Sequence, residues 1–305
     1  MNVVTLLPSA TELVCAAGGR ELLVGRSHEC DHPVGVETLP SLTRSRVRFD
    51  LPSGEIDGDV RRLLKEVLTV YEVDVDGLER VAPDVIVTQD LCDVCAVSLG
   101  DVQAAVAQLG SGARVVSLAP TTLGDVWRDL ETVGEAIGHL EEARSARAAL
   151  EAGVEAIRAR RPEGRPSVLT IEWLDPVMIG GTWMPELVEA AGGKALVTTP
   201  GQHAPTLDDA ALAELDPEVV LVKPCGFDLE RSRPELPTLR AGLERWGWRA
   251  WREGRVHLAD GNAFFNRPGP RLLESLEILA ACIHPEEYGD LAEKHASSFE
   301  QVLPG

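Results

Sequence analysis

The segment Val81-Ala82-Pro83-Asp84-Val85-Ile86-Val87-Thr88-Gln89-Asp90-Leu91-Cys92 has a counterpart later in the chain, Leu215-Asp216-Pro217-Glu218-Val219-Val220-Leu221-Val222-Lys223-Pro224-Cys225. Each reads as the end of a helix, a proline turn, a short apolar strand and then a cysteine. Residues 85–88 and 219–222 suit strands buried on both faces of a parallel sheet. The repetition indicates a duplication, and with it two similar α/β lobes whose loop faces can meet. Ligands of open α/β sheets bind beyond the carboxyl ends of the strands. The Cys92-Asp93-Val94-Cys95 motif therefore falls where such sheets do their chemistry.

The bulk numbers agree with two folded domains. The chain has 305 residues and 44% hydrophobic content, enough for real cores. Its formal charge of −20 argues against a nucleic-acid partner and against binding to anionic membrane surfaces. No apolar run approaches the roughly 18 residues of a membrane span. The chain enters a strand at Asn2-Val3-Val4-Thr5 with no basic or apolar leader, so the expected location is the cytoplasm. In a reducing compartment, six clustered cysteines favour metal or redox roles over structural disulfides.

Outward from the duplicated segment, residues 3–7 read as a first strand. A helix follows through Leu13 and Val14 to Gly18-Gly19, with Ser9 or Thr11 as its cap. A short strand at 22–25 ends in the polar loop Arg26-Ser27-His28-Glu29-Cys30-Asp31-His32-Pro33. Four potential ligands stand there within five residues: His28, Glu29, Cys30 and His32. The competing reading is a solvated turn. Residues 39–53 read as irregular, with Arg44, Arg46 and Arg48 alternating, either toward one anion or on a solvated face. From Thr122 the pattern turns helical, and residues 143–161 are rich in strong helix formers. The strand grammar restarts at Ser167. The expected organisation is an amino-terminal lobe at 1–121, a connecting helical region at 122–163 and a carboxy-terminal lobe at 164–305. The last helix is expected from Tyr288 onward.

The chain resembles the class III, helical-backbone substrate-binding proteins of ABC importers, and within them the cobalamin-binding proteins. The resemblance rests on Leu7-Pro8-Ser9-Ala10-Thr11-Glu12, on 24–33, on Pro83-Asp84-Val85-Ile86-Val87, on Gly180-Gly181-Thr182-Trp183, and on Phe264-Phe265-Asn266-Arg267-Pro268-Gly269-Pro270-Arg271. It implies an α/β fold of two Rossmann-like lobes bridged by a single long α-helix, a metal-chelate ligand such as a corrinoid, and a permease partner. By position it implies ligand contacts from His32, Trp173, Phe264 and Phe265; His28, Glu29 and Arg267, on the same loops, are further ligand-binding candidates. Aromatic faces suit a large planar macrocycle; core packing is the other reading of the Phe264-Phe265 pair. In such importers an acidic residue on each lobe meets the permease. Asp76 falls near the first position, and Ala210, flanked by Asp208 and Asp209, near the second.

Cys30, Cys92, Cys95 and Cys225 all fall in predicted strand-end loops, whereas Cys15 and Cys282 fall among apolar helical residues. Four convergent thiolates can hold zinc or an iron–sulfur cluster. Reduced free thiols and a redox pair are the alternatives. Two functions follow: a cleft-type binding protein for cobalamin or a related chelate, or a cytoplasmic metalloprotein, enzyme included, built on the same fold. No P-loop, nucleophile elbow or dinucleotide fingerprint is present in the sequence.

Overall fold

The computed structural model describes residues 1–65, 70–90, 99–109, 112–160 and 162–304. Two compact units emerge. The first comprises Met1–Leu51, Glu55–Pro120 and Gly124–Ala149; the second comprises Pro52–Gly54, Thr121–Leu123 and Leu150–Gly305.

The sheet of the first unit is parallel and has the order Leu23–Gly25, Val3–Thr5, Val85–Gln89, Arg114–Leu118. Val3–Thr5 and Val85–Gln89 are buried at every residue, as strands covered on both faces must be. The chain therefore leaves the first strand toward one neighbour and later returns on its other side. That reversal marks the position at which doubly wound sheets bind ligands. The helix Pro8–Ala16 starts on a proline, whose missing N–H costs nothing in a first turn. Its cap is Leu7, not Ser9 or Thr11: both lie inside the helix and are buried. The region expected to be irregular contains a strand, Thr43–Ser45, paired antiparallel with Tyr71–Val73. That pairing joins residues far apart in sequence, so local pattern did not announce it.

In the second unit Ser167–Leu174 occupies the place of Val3–Thr5. Val219–Val222 and then Val256–Ala259 run parallel on one side, and Lys194–Ala195 lies parallel on the other. Val177–Ile179 and Phe299–Val302 add antiparallel strands. The last of these overturns the expected terminal helix: only Gly289–Lys294 is helical there, and Phe299–Val302 closes the sheet edge. Leu169, Ile171, Val220, Val222 and Leu258 form the core with Leu239 and Leu243 of the helix Leu236–Trp246 and with Trp248.

The duplicated segments do the same job in both units. The acid after each proline fastens the strand that opens its unit. The Asp84 carboxylate accepts from the Asn2 amide at 2.7 Å, and the Glu218 carboxylate from the Ser167 amide at 2.8 Å. In return the Asp84 amide donates to Asn2 O at 2.8 Å and the Glu218 amide to Ser167 O at 2.9 Å.

Two helices follow the first sheet, Leu123–Ile137 and Leu140–Arg158, separated by Gly138 at φ +78°. The turn is tight: a Cβ on Gly134 would sit 2.3 Å from Cβ of Ala143, so only glycine fits. Leu140–Arg158, of 19 residues, is the longest helix among the described residues. Its residues to Ala149 belong to the first unit and those from Leu150 to the second. Among the described residues no helix is long and apolar enough to cross a membrane.

Candidate functional site

At the carboxyl edge of the first sheet, the loop after Leu23–Gly25 is held by a hydroxyl network. Thr43 and Ser27 are both buried, and Thr43 Oγ1 donates to Ser27 Oγ at 3.0 Å. The same Thr43 oxygen receives the His28 amide at 3.0 Å and lies 2.7 Å from His28 Nδ1. The half-buried His28 ring stands 5.4 Å from the Tyr71 ring, centroid to centroid, and Phe49 stacks on Tyr71 at 6.5 Å. The Tyr71 hydroxyl donates to the Glu29 carboxylate at 3.1 Å. Burial, and after it the positive charge of Arg26, pulls the His28 pKa below its ordinary value and favours neutral imidazole. A cavity of about 270 Å³ opens beside Tyr71, bordered by Arg46, Glu72, Val73 and Asp101.

The other expected residues of this loop divide. His32 is exposed. Cys30 is buried at 2% exposure, and its Sγ accepts from Thr11 Oγ1 at 3.0 Å. Thr11 in turn meets Thr5 Oγ1 at 2.6 Å. Cys30 thus joins a buried chain of hydroxyls. The alternating arginines divide between two carboxylates. Arg44 and Arg46 both bind Glu72, and Arg48 binds Asp50.

The carboxyl edge of the second sheet is organised by a buried lysine. Lys223 follows the strand Val219–Val222, and its Nζ donates to Glu172 Oε2 at 2.8 Å and to Asn266 Oδ1 at 2.7 Å. Asn266 returns its amide to Lys223 O at 3.1 Å and to Gly261 O at 2.7 Å. A Cβ on Gly261 would lie 2.1 Å from Pro224 O, so the loop at 260–267 can pack here only through glycine. Asp260 Oδ1 accepts from the Asn262 and Ala263 amides, at 3.0 and 2.8 Å.

On this loop two adjacent phenylalanines part company. Phe265 is fully buried at φ +67°, a strained conformation for a non-glycine residue. Its amide donates to Ser275 Oγ at 2.8 Å, and its carbonyl accepts from Trp183 Nε1 at 2.8 Å. Phe265, expected to meet a ligand, has a ring with no exposed surface, packed in the core. Phe264 is half-buried, with the Arg271 guanidinium 5.6 Å from its ring centroid and His295 edge-on at 6.3 Å. Arg267 is 8% exposed and donates to Asn262 Oδ1 at 2.9 Å. Trp173, half-buried, lies 5.3 Å from Phe227, on which Arg231 stacks at 3.9 Å. Cys225 is exposed, its amide held by Glu172 O at 3.0 Å.

Cys92 and Cys95 lie outside the described residues. Among the described residues no group of three or more His, Cys, Asp or Glu side chains could hold a metal ion. Of the other two thiols, Cys30 is buried and Cys225 is exposed. The acids expected to face a permease also have local roles in the second unit. Asp208 caps the helix Asp209–Ala213 by accepting from Ala211 N, and Asp209 binds Arg245 and Trp246. Asp76 is exposed in the first turn of Val75–Val81. Tyr71, Thr43 and Lys223 had not been singled out in the sequence. The only signal for Tyr71 was the short alternation Tyr71-Glu72-Val73. A cavity of about 440 Å³, lined by Arg165, Glu218, Arg255 and His284 among others, lies at the amino-terminal edge of the second sheet, away from these loops.

A family profile described as periplasmic binding protein matches residues 3–260. No curated protein sequence matches the chain significantly. Among solved structures, a periplasmic haem-binding protein from Pseudomonas aeruginosa superposes with a TM-score of 0.69 at 23% identity, covering 93% of each chain. The periplasmic vitamin B12-binding protein BtuF of Vibrio cholerae gives 0.65 at 17% identity, over 92% of this chain and 96% of its own. The apo periplasmic haem-binding protein RhuT from Roseiflexus sp. RS-1 gives 0.69 at 20% identity, over 94% and 98%. At these identities the likeness is one of fold.

Proposed function

This chain belongs to the periplasmic binding protein family, and from that membership we propose that it captures a metal chelate of the corrinoid class for an ABC-type permease. The observation that carries the reading is the pair of loop edges. In each unit the carboxyl edge of a doubly wound sheet presents half-buried rings, His28 beside Tyr71 in one and Trp173 and Phe264 in the other. Such rings offer a large apolar area at low entropic cost, which suits a flat macrocycle with polar margins. Structural relatives named for haem and for vitamin B12 support the ligand class. The sequence motifs favour the corrinoid over the porphyrin.

We place its work in a reducing compartment, on the cytoplasmic side of the permease. Cys225 is an exposed free thiol, a liability in an oxidising setting. Cell fractionation tests this placement. Calorimetric titration with cyanocobalamin, cobinamide and ferric haem tests the ligand. Micromolar or tighter binding of a corrinoid is expected. Haem bound in preference would reassign the chelate, and no heat with any of the three would remove the reading.

A further inference from the structure

The hydrogen bonds around Thr43 decide which nitrogen of His28 carries the proton. A threonine hydroxyl has one proton to give and two lone pairs to receive with. Thr43 gives its proton to Ser27 Oγ at 3.0 Å. One lone pair takes the His28 amide at 3.0 Å, which leaves the other for the ring nitrogen at 2.7 Å. Toward His28 Nδ1 the hydroxyl can only accept, so Nδ1 bears the hydrogen. In the neutral ring the lone pair then resides on Nε2, which takes no hydrogen bond among the described residues.

This is how proteins present an imidazole to a metal. One nitrogen is tied back through its N–H, which fixes the tautomer and the ring's direction, and the other points outward. The tie is firm because Thr43 and Ser27 are buried and all three bonding positions of Thr43 Oγ1 are filled. Burial of His28 beside Arg26 keeps the ring in the form that ligates. The Tyr71 ring, held by Glu29, walls one side of the imidazole. The loop stands at the carboxyl edge of the sheet, where a ligand would lie.

We propose that His28 Nε2 is the protein's donor atom to the metal of the bound chelate, taking an axial position on cobalt or iron. The proposal rests on the metal-chelate reading of the family fold and adds to it a bond between protein and metal. It also assigns Thr43 as a positioning residue, which touches no ligand and acts through His28.

The test uses cob(II)inamide, a corrinoid that carries no nucleotide base of its own, so any axial nitrogen must come from the protein. Electron paramagnetic resonance of the wild-type complex should show each cobalt line split into three by one ¹⁴N. The splitting should vanish in His28→Ala while binding persists, weakened about tenfold or more. Thr43→Val keeps the imidazole but frees its tautomer. It should lower affinity about 10- to 100-fold, the usual effect of losing an outer partner of a ligating histidine, and restoring a hydroxyl in Thr43→Ser should recover most of it. Circular dichroism melts confirm that the variants fold. Tight binding with no nitrogen splitting, or with splitting unchanged in His28→Ala, overturns the inference and leaves the functional reading standing. Failure of wild-type protein to bind cob(II)inamide, cyanocobalamin or ferric haem overturns both.

Discussion

Lys223, almost wholly buried, donates from Nζ to Glu172 Oε2 at 2.8 Å. With Asn266 as its second partner, this ammonium joins the ends of two strands to the loop that carries Phe264. Removing one member of a buried ion pair strands the other, at a cost of about 3–5 kcal/mol. Glu172 keeps 22% exposure and can recover part of that by hydration. Lys223→Met is therefore expected to lose about 3 kcal/mol in urea denaturation. Adding Glu172→Gln should restore some of it, because the stranded charge is then gone. A single variant within 0.5 kcal/mol of wild type (the usual range of surface substitutions) would mean that the lysine is not structurally needed.

Phe264 and Phe265 should separate binding from stability. Phe265→Ala empties a fully buried site and is expected to cost about 3–5 kcal/mol. Phe264→Ala should leave the melting temperature nearly unchanged while lowering corrinoid affinity about tenfold, equivalent to about 1.4 kcal/mol. Paired thermal melts and calorimetry read both quantities. Equal effects on the melt would place Phe264 in the core as well.

Asp129 sets a pH dependence of stability. It is largely buried on the helix Leu123–Ile137, its Oδ2 without a partner among the described residues. Desolvation, with Asp125 adding repulsion, pushes its pKa up from 3.8 to about 7. The sign follows from comparing states. Above 3.8 the unfolded chain releases this proton while the folded chain retains it until about 7. The folded state therefore loses ground as pH rises through that window and stays at the lower level beyond it. Asp129→Asn should remove this slope and gain on the order of 2 kcal/mol at pH 8, after allowing for the water that reaches the site. Urea titrations at pH 4.5 and pH 8 check it. A gain as large at the acid end as at the alkaline end would contradict the assignment.

The clasp at the start of each sheet predicts a matched pair of losses. Asp84→Ala and Glu218→Ala each free the amide of an opening strand, Asn2 in one unit and Ser167 in the other. A charge-assisted hydrogen bond is worth about 1.5–3 kcal/mol. Glu218 also takes the Ser167 hydroxyl at 3.1 Å and should show the larger effect. Hydrogen exchange at the amides of Val4 and Leu169 would locate the loosening.

What the sequence disclosed and what it withheld follow a physical divide. The duplicated strands and the restart at Ser167 were legible because burial pattern and punctuation are local properties. The pairing of Thr43–Ser45 with Tyr71–Val73 was not, since its partners are brought together only by the fold. Phe264 and Phe265 could not be told apart by letters: the difference lies in a positive φ and in Ser275 and Trp183, which meet only one of them. The loop His28–His32 drew attention through its density of ligating side chains. Which of these faces outward depends on Thr43, Thr11 and Tyr71, none of them neighbours in the chain.

Gly261 bears on any attempt to retune this protein for a different guest. Its Cα lies so close to the backbone of Lys223 and Pro224 that even a methyl group has nowhere to go. Selection or design on the loop can vary ring size and polarity at position 264, but position 261 must remain bare and position 265 must keep its contorted backbone. A library that randomises the whole stretch would spend most of its members on loops that cannot reseat. One that holds those two positions fixed would sample altered specificities on an intact platform.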